Sequence, residues 1–167
     1  MNTQASLVRY SELIDRLVLD RRTAEELGRV EKLWLIPQTH QVVGFTCKGG
    51  FLGVRKRSFT WNQIESIGAD SIMVNFNTEV FADPAKPEDV YSLIGHEVWT
   101  EAGNKAGKIV DYLIVQQTGA VVNYLFASNG WRGILNVLYL LAITDISSIG
   151  SKRLIVKNAA VETPQQY

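Results

Sequence analysis

Residues that form covalent or metal cross-links are scarce in this chain. Of 167 residues one is cysteine, Cys47, and two are histidine, so the counts exclude an intramolecular disulfide and a zinc site made of four cysteines or of two cysteines and two histidines. The sequence also lacks a G-x-G-x-x-G loop, a P-loop and any pair of carboxylates at a spacing typical of acid–base chemistry. These absences predict a protein that is not an enzyme and that binds neither a metal ion nor a cofactor.

An excess of either charge and a long apolar segment are missing as well. Seventeen Lys and Arg balance seventeen Asp and Glu, which argues against a strongly nucleic-acid-binding protein but leaves a local basic patch open. The longest apolar run, residues 134–146, is interrupted by Asn136 and Asp145 and is shorter than the roughly 20 residues of a membrane-spanning helix. Residues 1–12 lack the apolar core of a secretory signal. We therefore expect a cytoplasmic protein, which can still lie at the periphery of a membrane.

The most informative feature that is present is an internal repeat. Residues 27–30 return in similar form at 106–109, and residues 64–68 return at 146–150. The repeat returns after about 80 residues, which exceeds the usual solenoid period of about 20–50 residues. Each copy is therefore expected to be a whole small domain. Within the repeat, Gly28 and Gly107 are expected to mark the same turn.

Short runs of alternating apolar residues within each copy predict β-strands. In residues 42–48, for example, alternation places Val43, Phe45 and Cys47 on one face of a strand. No segment keeps a helical period over ten residues. We therefore predict a mainly all-β chain, built as two small antiparallel β-barrels in tandem with short helical turns only.

The predicted domain boundaries follow the repeat. The first domain covers residues 10–76 and the second covers residues 91–157. Between them, residues 77–90 form a linker that contains two prolines and four acidic residues. The polar ends are expected to be loose, with fraying over residues 1–9 and a flexible tail over residues 158–167.

Three segments of the first copy together resemble the PRC-barrel family: residues 27–35, residues 37–45 and residues 64–74. The resemblance covers residues 10–74 well and residues 91–156 less closely. The family takes its name from the H subunit of the photosynthetic reaction centre and includes the C-terminal domain of the ribosome maturation factor. Two copies in one chain look like tandem proteins of cyanobacteria. The resemblance implies two PRC-type barrels that act as a binding or assembly module and supplies no substrate.

A basic loop in the first copy is the first candidate for partner binding. Phe51 lies among three glycines and is flanked by Lys48 and by Arg55, Lys56 and Arg57. Such a loop can grip phosphates or an acidic protein surface. The alternative is a solvated hairpin whose charges merely prevent edge-to-edge pairing.

The equivalent loop of the second copy is the second candidate, and it is mostly apolar. It contains Trp131, Arg132, Ile134 and Leu135, and Trp and Arg are the residue types that dominate interface hot spots. The alternative is that this loop closes the core of its barrel or seals the interface between the copies. The two copies thus agree at scaffold positions and differ at their loops.

Other conspicuous residues are better explained by packing. Trp34, Trp61 and Trp99 fall in or beside strands and are expected in the core, and Cys47 is expected to be a small buried hydrophobe. His40 follows a proline in a turn and is expected on the surface. No carboxylate pattern supports a metal site at the two histidines.

These observations favour a non-enzymatic adaptor with protein partners. The resemblance implies that the complex this adaptor serves is a photosynthetic or other membrane-associated one. A ribosome- or RNA-associated factor that binds ribonucleoprotein through residues 48–57 is the alternative, although no RNA-recognition motif is present. A weaker alternative is a small ligand bound at the seam between the barrels.

Overall fold

The computed structural model describes residues 5–76, 83–128 and 137–167, and most of these residues lie in β-strands. The first copy contains β1 (Leu7–Arg9), α1 (Tyr10–Leu13), β2 (Leu17–Asp20), β3 (Glu26–Ile36), β4 (Gln41–Gly49), β5 (Arg55–Thr60), β6 (Ile64–Ile67) and β7 (Ser71–Val74). The second copy contains β8 (Glu97–Thr100), β9 (Lys105–Val115), β10 (Val121–Ser128), β11 (Leu138–Ala142), β12 (Ile146–Ile149), β13 (Arg153–Val156), α2 (Ala159–Glu162) and β14 (Gln165–Gln166). Single 3-10 turns occur at Pro37–Thr39, Phe51–Gly53, Trp61–Gln63, Pro87–Asp89 and Ile143–Asp145.

The two copies form two sheets with the same strand order. The first sheet runs β5-β4-β3-β2-β7-β6, and the corresponding strands of the second run β11-β10-β9-β8-β13-β12, with β14 added beside β11 and β1 beside β9. The mainly β class and the tandem organisation are therefore confirmed. One pair in each sheet departs from the antiparallel prediction, because β2 runs parallel to β7 and β8 runs parallel to β13. The predicted domain boundaries themselves stay a prediction.

A bulge in β4 changes which residues of that strand point inward. Trp34 pairs with Gly44 but the next residue of β3, Leu35, pairs with Val42, so Val43 is left over. The extra residue brings Val42 onto the buried face together with Phe45 and Cys47, and Val43 is only half-buried. Simple alternation therefore misassigned Val42 and Val43, because the period of two holds only where each residue has one partner across the ladder.

The core consists of equivalent apolar positions from both copies. Phe45 and Phe59 of the first copy stack with ring centroids 5.4 Å apart, and their equivalents Tyr124 and Leu141 are fully buried in the second. Buried side chains of the two copies belong to one continuous cluster. A barrel of roughly 70 residues has a thin core of its own, so packing the copies together increases the buried apolar area.

The seam between the copies has a local twofold relation. The amide of Val42 donates to the carbonyl of Gly119 at 2.8 Å, and the amide of Val121 donates to the carbonyl of His40 at 2.8 Å. Val42 is equivalent to Val121 in the repeat, and His40 is equivalent to Gly119. Both His40 and Gly119 have positive φ, +51° and +77°. The copies thus meet through the same turn from each side, as two subunits do in an isologous dimer.

The start of the first copy is joined to the sheet of the second. Strand β1 pairs with β9, with Val8 opposite Ile114. Just after it, the amide of Ser11 donates to Asp111 Oδ1 at 3.0 Å, and Ser11 Oγ donates to the other carboxylate oxygen of the buried Asp111. Residues 5–9, predicted to be frayed, therefore form part of the fold. The partner strand that holds them lies about 100 residues away in sequence, which local pattern does not reveal.

The end of the chain also pairs with the second sheet. Strand β14 lies antiparallel to β11, and the amide of Tyr167 donates to the carbonyl of Leu138 at 2.8 Å. The segment predicted to be a flexible tail, residues 158–167, thus contains α2 and an added edge strand. Main-chain pairing stabilises this segment even though its side chains are polar.

Candidate functional site

The tip of the β4–β5 hairpin combines exposed apolar side chains with cations. We call residues 48–57 the basic tip. Phe51 is 85% exposed, Leu52 is 81% exposed and Val54 is 76% exposed, so all three lie almost wholly in solvent. Isolated exposed hydrophobic residues are ordinary, but three of them on one hairpin tip form a small apolar patch.

The backbone of the basic tip holds these side chains away from the sheet. Gly50 and Gly53 have φ of +75° and +64°, and Leu52 between them has φ of +59°. A left-handed conformation costs a residue with a Cβ about 1–2 kcal/mol. The turn therefore presents a large apolar side chain at a position where glycine or asparagine would be less strained. Backbone strain of this kind is often found at binding sites.

The charges of the basic tip are all of one sign. Residues 48–57 contain four cations and no acidic residue. Lys48 and Lys56 lie directly opposite each other in the β4–β5 ladder, and Arg29 of β3 lies opposite Lys48. Like charges at opposed positions destabilise a sheet. The arrangement therefore favours a negatively charged surface against this end of the sheet.

Two contacts within the fold partly compensate these charges. Lys56 Nζ lies 3.2 Å from Glu31 Oε2, and the Arg29 guanidinium donates to the carbonyl of Asp15 at 3.0 Å. Arg57 is half-buried and its guanidinium lies 5.1 Å from the centre of the Phe76 ring. Among the described residues, Lys48 and Arg55 have no ion pair.

The structure thus brings together most of the first predicted site. Phe51, Arg55 and Lys56 are exposed on one hairpin tip, as predicted from the sequence. Arg57 instead packs on Phe76. Leu52 and Val54 are part of the same patch and were missed, although two apolar residues on either side of Gly53 were a signal in the sequence.

The second predicted site lies outside the described residues. Trp131, Arg132, Ile134 and Leu135 all fall in residues 129–136, so whether this loop is buried or exposed stays a prediction. The structure does describe the strands on either side of this loop, since β10 ends at Ser128 and β11 begins at Leu138.

The seam carries two open grooves, and Trp61 and Asn62 line both of them. Each has a volume of about 290 Å³. Trp61 is buried, as predicted, and its indole N–H donates to the carbonyl of Gln116 at 3.0 Å across the seam. The linings are mainly polar and include Glu65 and Thr118. Such open polar grooves differ from the enclosed, mostly apolar pockets typical of small-molecule sites.

The two histidines have structural contacts in separate places. His40 Nδ1 lies 2.9 Å from the Tyr124 hydroxyl at the seam, and burial lowers the pKa of His40. His40 is half-buried and thus not fully on the surface as predicted, because the second copy covers part of this turn. His96 is buried, with Nε2 3.2 Å from the carbonyl of Gly150. In the parts of the chain that the structure describes, no three potential metal ligands cluster together.

Cys47 is fully buried, as predicted. Its thiol lies 3.5 Å from the carbonyl of Leu27, and burial raises its pKa to about 11. The thiol is therefore protonated at neutral pH and is not a nucleophile there.

Among the described residues, no helix combines the length and the apolar character that crossing a bilayer requires.

Comparison with known families gives two matches along the chain. The PRC-barrel domain family matches residues 6–81 and again residues 88–162. The first match includes β1, whose partner strand belongs to the second copy. Comparison with curated proteins found no match. The two matched segments together cover most of the 167 residues.

Proposed function

Because the chain belongs to the PRC-barrel family and carries two copies of its domain, we propose that it is a non-enzymatic interaction and assembly module, an adaptor for a membrane-associated complex such as a photosynthetic one. The observation that carries this proposal is the basic tip, where three apolar side chains protrude next to four cations. The fold gains nothing from exposing these side chains, so a contact outside the chain is the simplest reason for them.

The architecture supports an adaptor in a second way. The seam, with Val42 and Val121 in equivalent hydrogen bonds, joins the copies through main chain as well as side chains. A module of this kind carries two related domains whose loops have diverged in sequence. One domain can then hold one partner while the other holds a second, which is what assembly requires.

Affinity purification of the tagged full chain from its own cell, followed by mass spectrometry, tests the adaptor function. We expect the wild-type chain and a Val110→Ser/Tyr167→Ser control to recover the same partner, because Val110 and Tyr167 are exposed apolar residues away from the basic tip. A Phe51→Ser/Leu52→Ser variant is expected to lose that partner. Recovery of no stable partner, or equal recovery by all three proteins, would contradict the proposal.

A ribonucleoprotein-binding factor is the second candidate, and the row of cations Arg29, Lys48 and Lys56 across three strands favours it. Binding to phosphates through these residues would fall steeply with salt. Sedimentation of the chain with ribosomal subunits at low and moderate salt tests this. A charge reversal at Lys48, Arg55 and Lys56 should abolish co-sedimentation, and unchanged co-sedimentation would remove these residues from the site.

A further inference from the structure

The apolar side chains of the basic tip could form only part of a protein interface. Side chains of the size of Phe51, Leu52 and Val54 together expose on the order of 400 Å². A stable protein–protein interface buries about 800 Å² on each partner. Insertion into a lipid surface has no such threshold, because its strength scales with the apolar area buried plus the attraction to anionic lipids.

The cations lie at the depth that a lipid headgroup layer requires. Arg55 adjoins the apolar turn, opposite Gly49, and the opposed pair Lys48 and Lys56 lies one residue further along the ladder. At about 3.3 Å per residue, the backbone positions of these cations follow the apolar turn within roughly 3–7 Å. The polar headgroup region of one leaflet is about 5–7 Å thick. With the apolar side chains at the acyl boundary, the cations would lie among the headgroups.

An anionic lipid surface would also relieve the features that are unfavourable in the isolated chain. The opposed charges of Lys48 and Lys56 repel each other, and Lys48 and Arg55 have no ion pair among the described residues. The tip is the end of the β4–β5 hairpin. A fluid lipid surface adapts to such a shape, whereas a protein would need a matching cavity.

From these observations we propose that the basic tip inserts into an anionic lipid surface, with Phe51, Leu52 and Val54 at the acyl boundary and Lys48, Arg55 and Lys56 among the headgroups. This inference rests on the proposed function, since it names the surface that the same site meets. Arg57 stays in place as part of the fold, because its guanidinium stacks on Phe76.

Sedimentation of the full chain with lipid vesicles tests the proposal. We expect binding to vesicles that contain phosphatidylglycerol, weak or no binding to phosphatidylcholine alone, and a loss of binding as salt is added. The variant Lys48→Glu/Arg55→Glu/Lys56→Glu should bind at least about 100-fold less tightly, since each cation contributes about fivefold. The variant Phe51→Ser/Leu52→Ser should bind at least about tenfold less tightly.

Matched controls separate the effect of the basic tip on binding from the effects of total charge and total apolar surface. The variant Lys108→Glu/Lys152→Glu/Lys157→Glu makes the same change in net charge on exposed positions of the second copy, and it should bind more tightly than the tip reversal. The Val110→Ser/Tyr167→Ser control should bind like the wild type. Thermal melts of every variant check that the fold is kept.

A depth measurement adds a readout that purely electrostatic adsorption would not give. In a Phe51→Trp variant, the new indole should show blue-shifted emission on anionic vesicles and quenching by brominated lipid, relative to the wild-type tryptophans. Unshifted emission, or equal binding of the Phe51→Ser/Leu52→Ser variant, would overturn insertion.

The outcomes distinguish this inference from the function it rests on. No binding of the wild type to phosphatidylglycerol vesicles, together with a protein partner lost on tip substitution, would overturn the lipid proposal and leave the adaptor function standing. Vesicle binding without any recovered partner would remove the adaptor function and support the lipid contact alone.

Discussion

At the scale of single residues, Cys47 shows how its surroundings set the chemistry of a side chain. Its thiol is enclosed by the core of the first copy, beside the carbonyl of Leu27, and its pKa is raised to about 11. Burial is the main cause, because the thiolate loses its hydration there, and the nearby Arg57 opposes the shift only in part. The lone cysteine is a packing residue.

The raised pKa of Cys47 predicts a specific loss of stability at alkaline pH. The folded-state pKa of Cys47 lies above the unfolded value of about 9. The contribution of the buried thiol to the free energy of unfolding is therefore complete below pH 9 and is lost as pH rises towards 11. Over that range the free energy of unfolding of the wild type should fall by about 2 kcal/mol more than that of Cys47→Ala. Urea unfolding of both proteins across this pH range measures the difference. The buried tyrosines Tyr112 and Tyr124 affect both proteins alike, so they cannot produce a difference between them. Parallel pH profiles of the two proteins would therefore contradict the prediction.

Leu52 is the residue at which stability and binding are in conflict. Its φ of +59° is strained for leucine, and its side chain has almost no contact with the fold. A residue kept in such a position is more easily explained by an external contact than by folding. The glycines, Phe51 and the cations of this segment were noted in the sequence, whereas Leu52 was missed.

At the scale of elements, the long strands β3 and β9 each carry a glycine where two main chains approach closely. Gly28 and Gly107 lie inside these strands and not in a turn, which corrects the prediction from the sequence. A Cβ on Gly28 would lie 2.5 Å from the carbonyl oxygen of Lys48, and one on Gly107 would overlap the carbonyl of Ala127. The shared glycine therefore permits the close approach of two main chains in each copy.

This geometry predicts different costs for two glycine substitutions in the same copy. Gly107→Ala should lower the free energy of unfolding by about 2–3 kcal/mol, because the main chain of Ala127 must move. Gly103→Ala should cost about 1 kcal/mol, because its φ is +87° but no other atom lies within 4 Å of the added Cβ. Urea denaturation of both variants provides the comparison. Equal losses would show that close approach is not what requires Gly107.

At the scale of the whole molecule, the copies are interlocked. Strand β1 of the first copy pairs with β9 of the second, and the amide of Tyr91 donates to the carbonyl of Leu35 in the opposite direction. The carboxylate of Asp111 is buried and is held by Ser11 from the other copy. Separating the copies would remove both Ser11 hydrogen bonds from this carboxylate and leave it the amide of Tyr112, which donates to Oδ1 at 2.9 Å.

Chains 1–82 and 83–167 produced separately test this interlocking. We expect neither half to give a folded monomer, because each loses main-chain partners and part of the shared core. Co-expressed, they should form a one-to-one complex with the far-ultraviolet spectrum of the intact chain. Light scattering after gel filtration measures the stoichiometry. A half that is monomeric and melts like the intact protein would show the copies to be independent.

The strands and the repeat were more predictable from the sequence than the way the strands and the two copies pack on each other. Strand segments, the repeat and the exposed positions of Phe51, Arg55 and Lys56 follow from local pattern, since alternation and turn residues act within a few positions of the chain. The bulge at Val43 has no such signal, because it depends on which residue of β3 lies opposite. The partial burial of His40 has no local signal either, because the second copy causes it.

By itself, the sequence determined the β class, the duplication, the family and the presence of a basic, glycine-rich loop with an aromatic residue. These properties reside in composition, spacing and repetition, which need no knowledge of contacts. Only the tertiary structure decided that the copies share one core, that β1 belongs to the opposite sheet, and that Leu52 and Val54 join Phe51 on one exposed tip. These properties depend on contacts between distant segments. Local pattern does not decide them, because the same apolar surface could be buried in several ways and only the complete fold selects one.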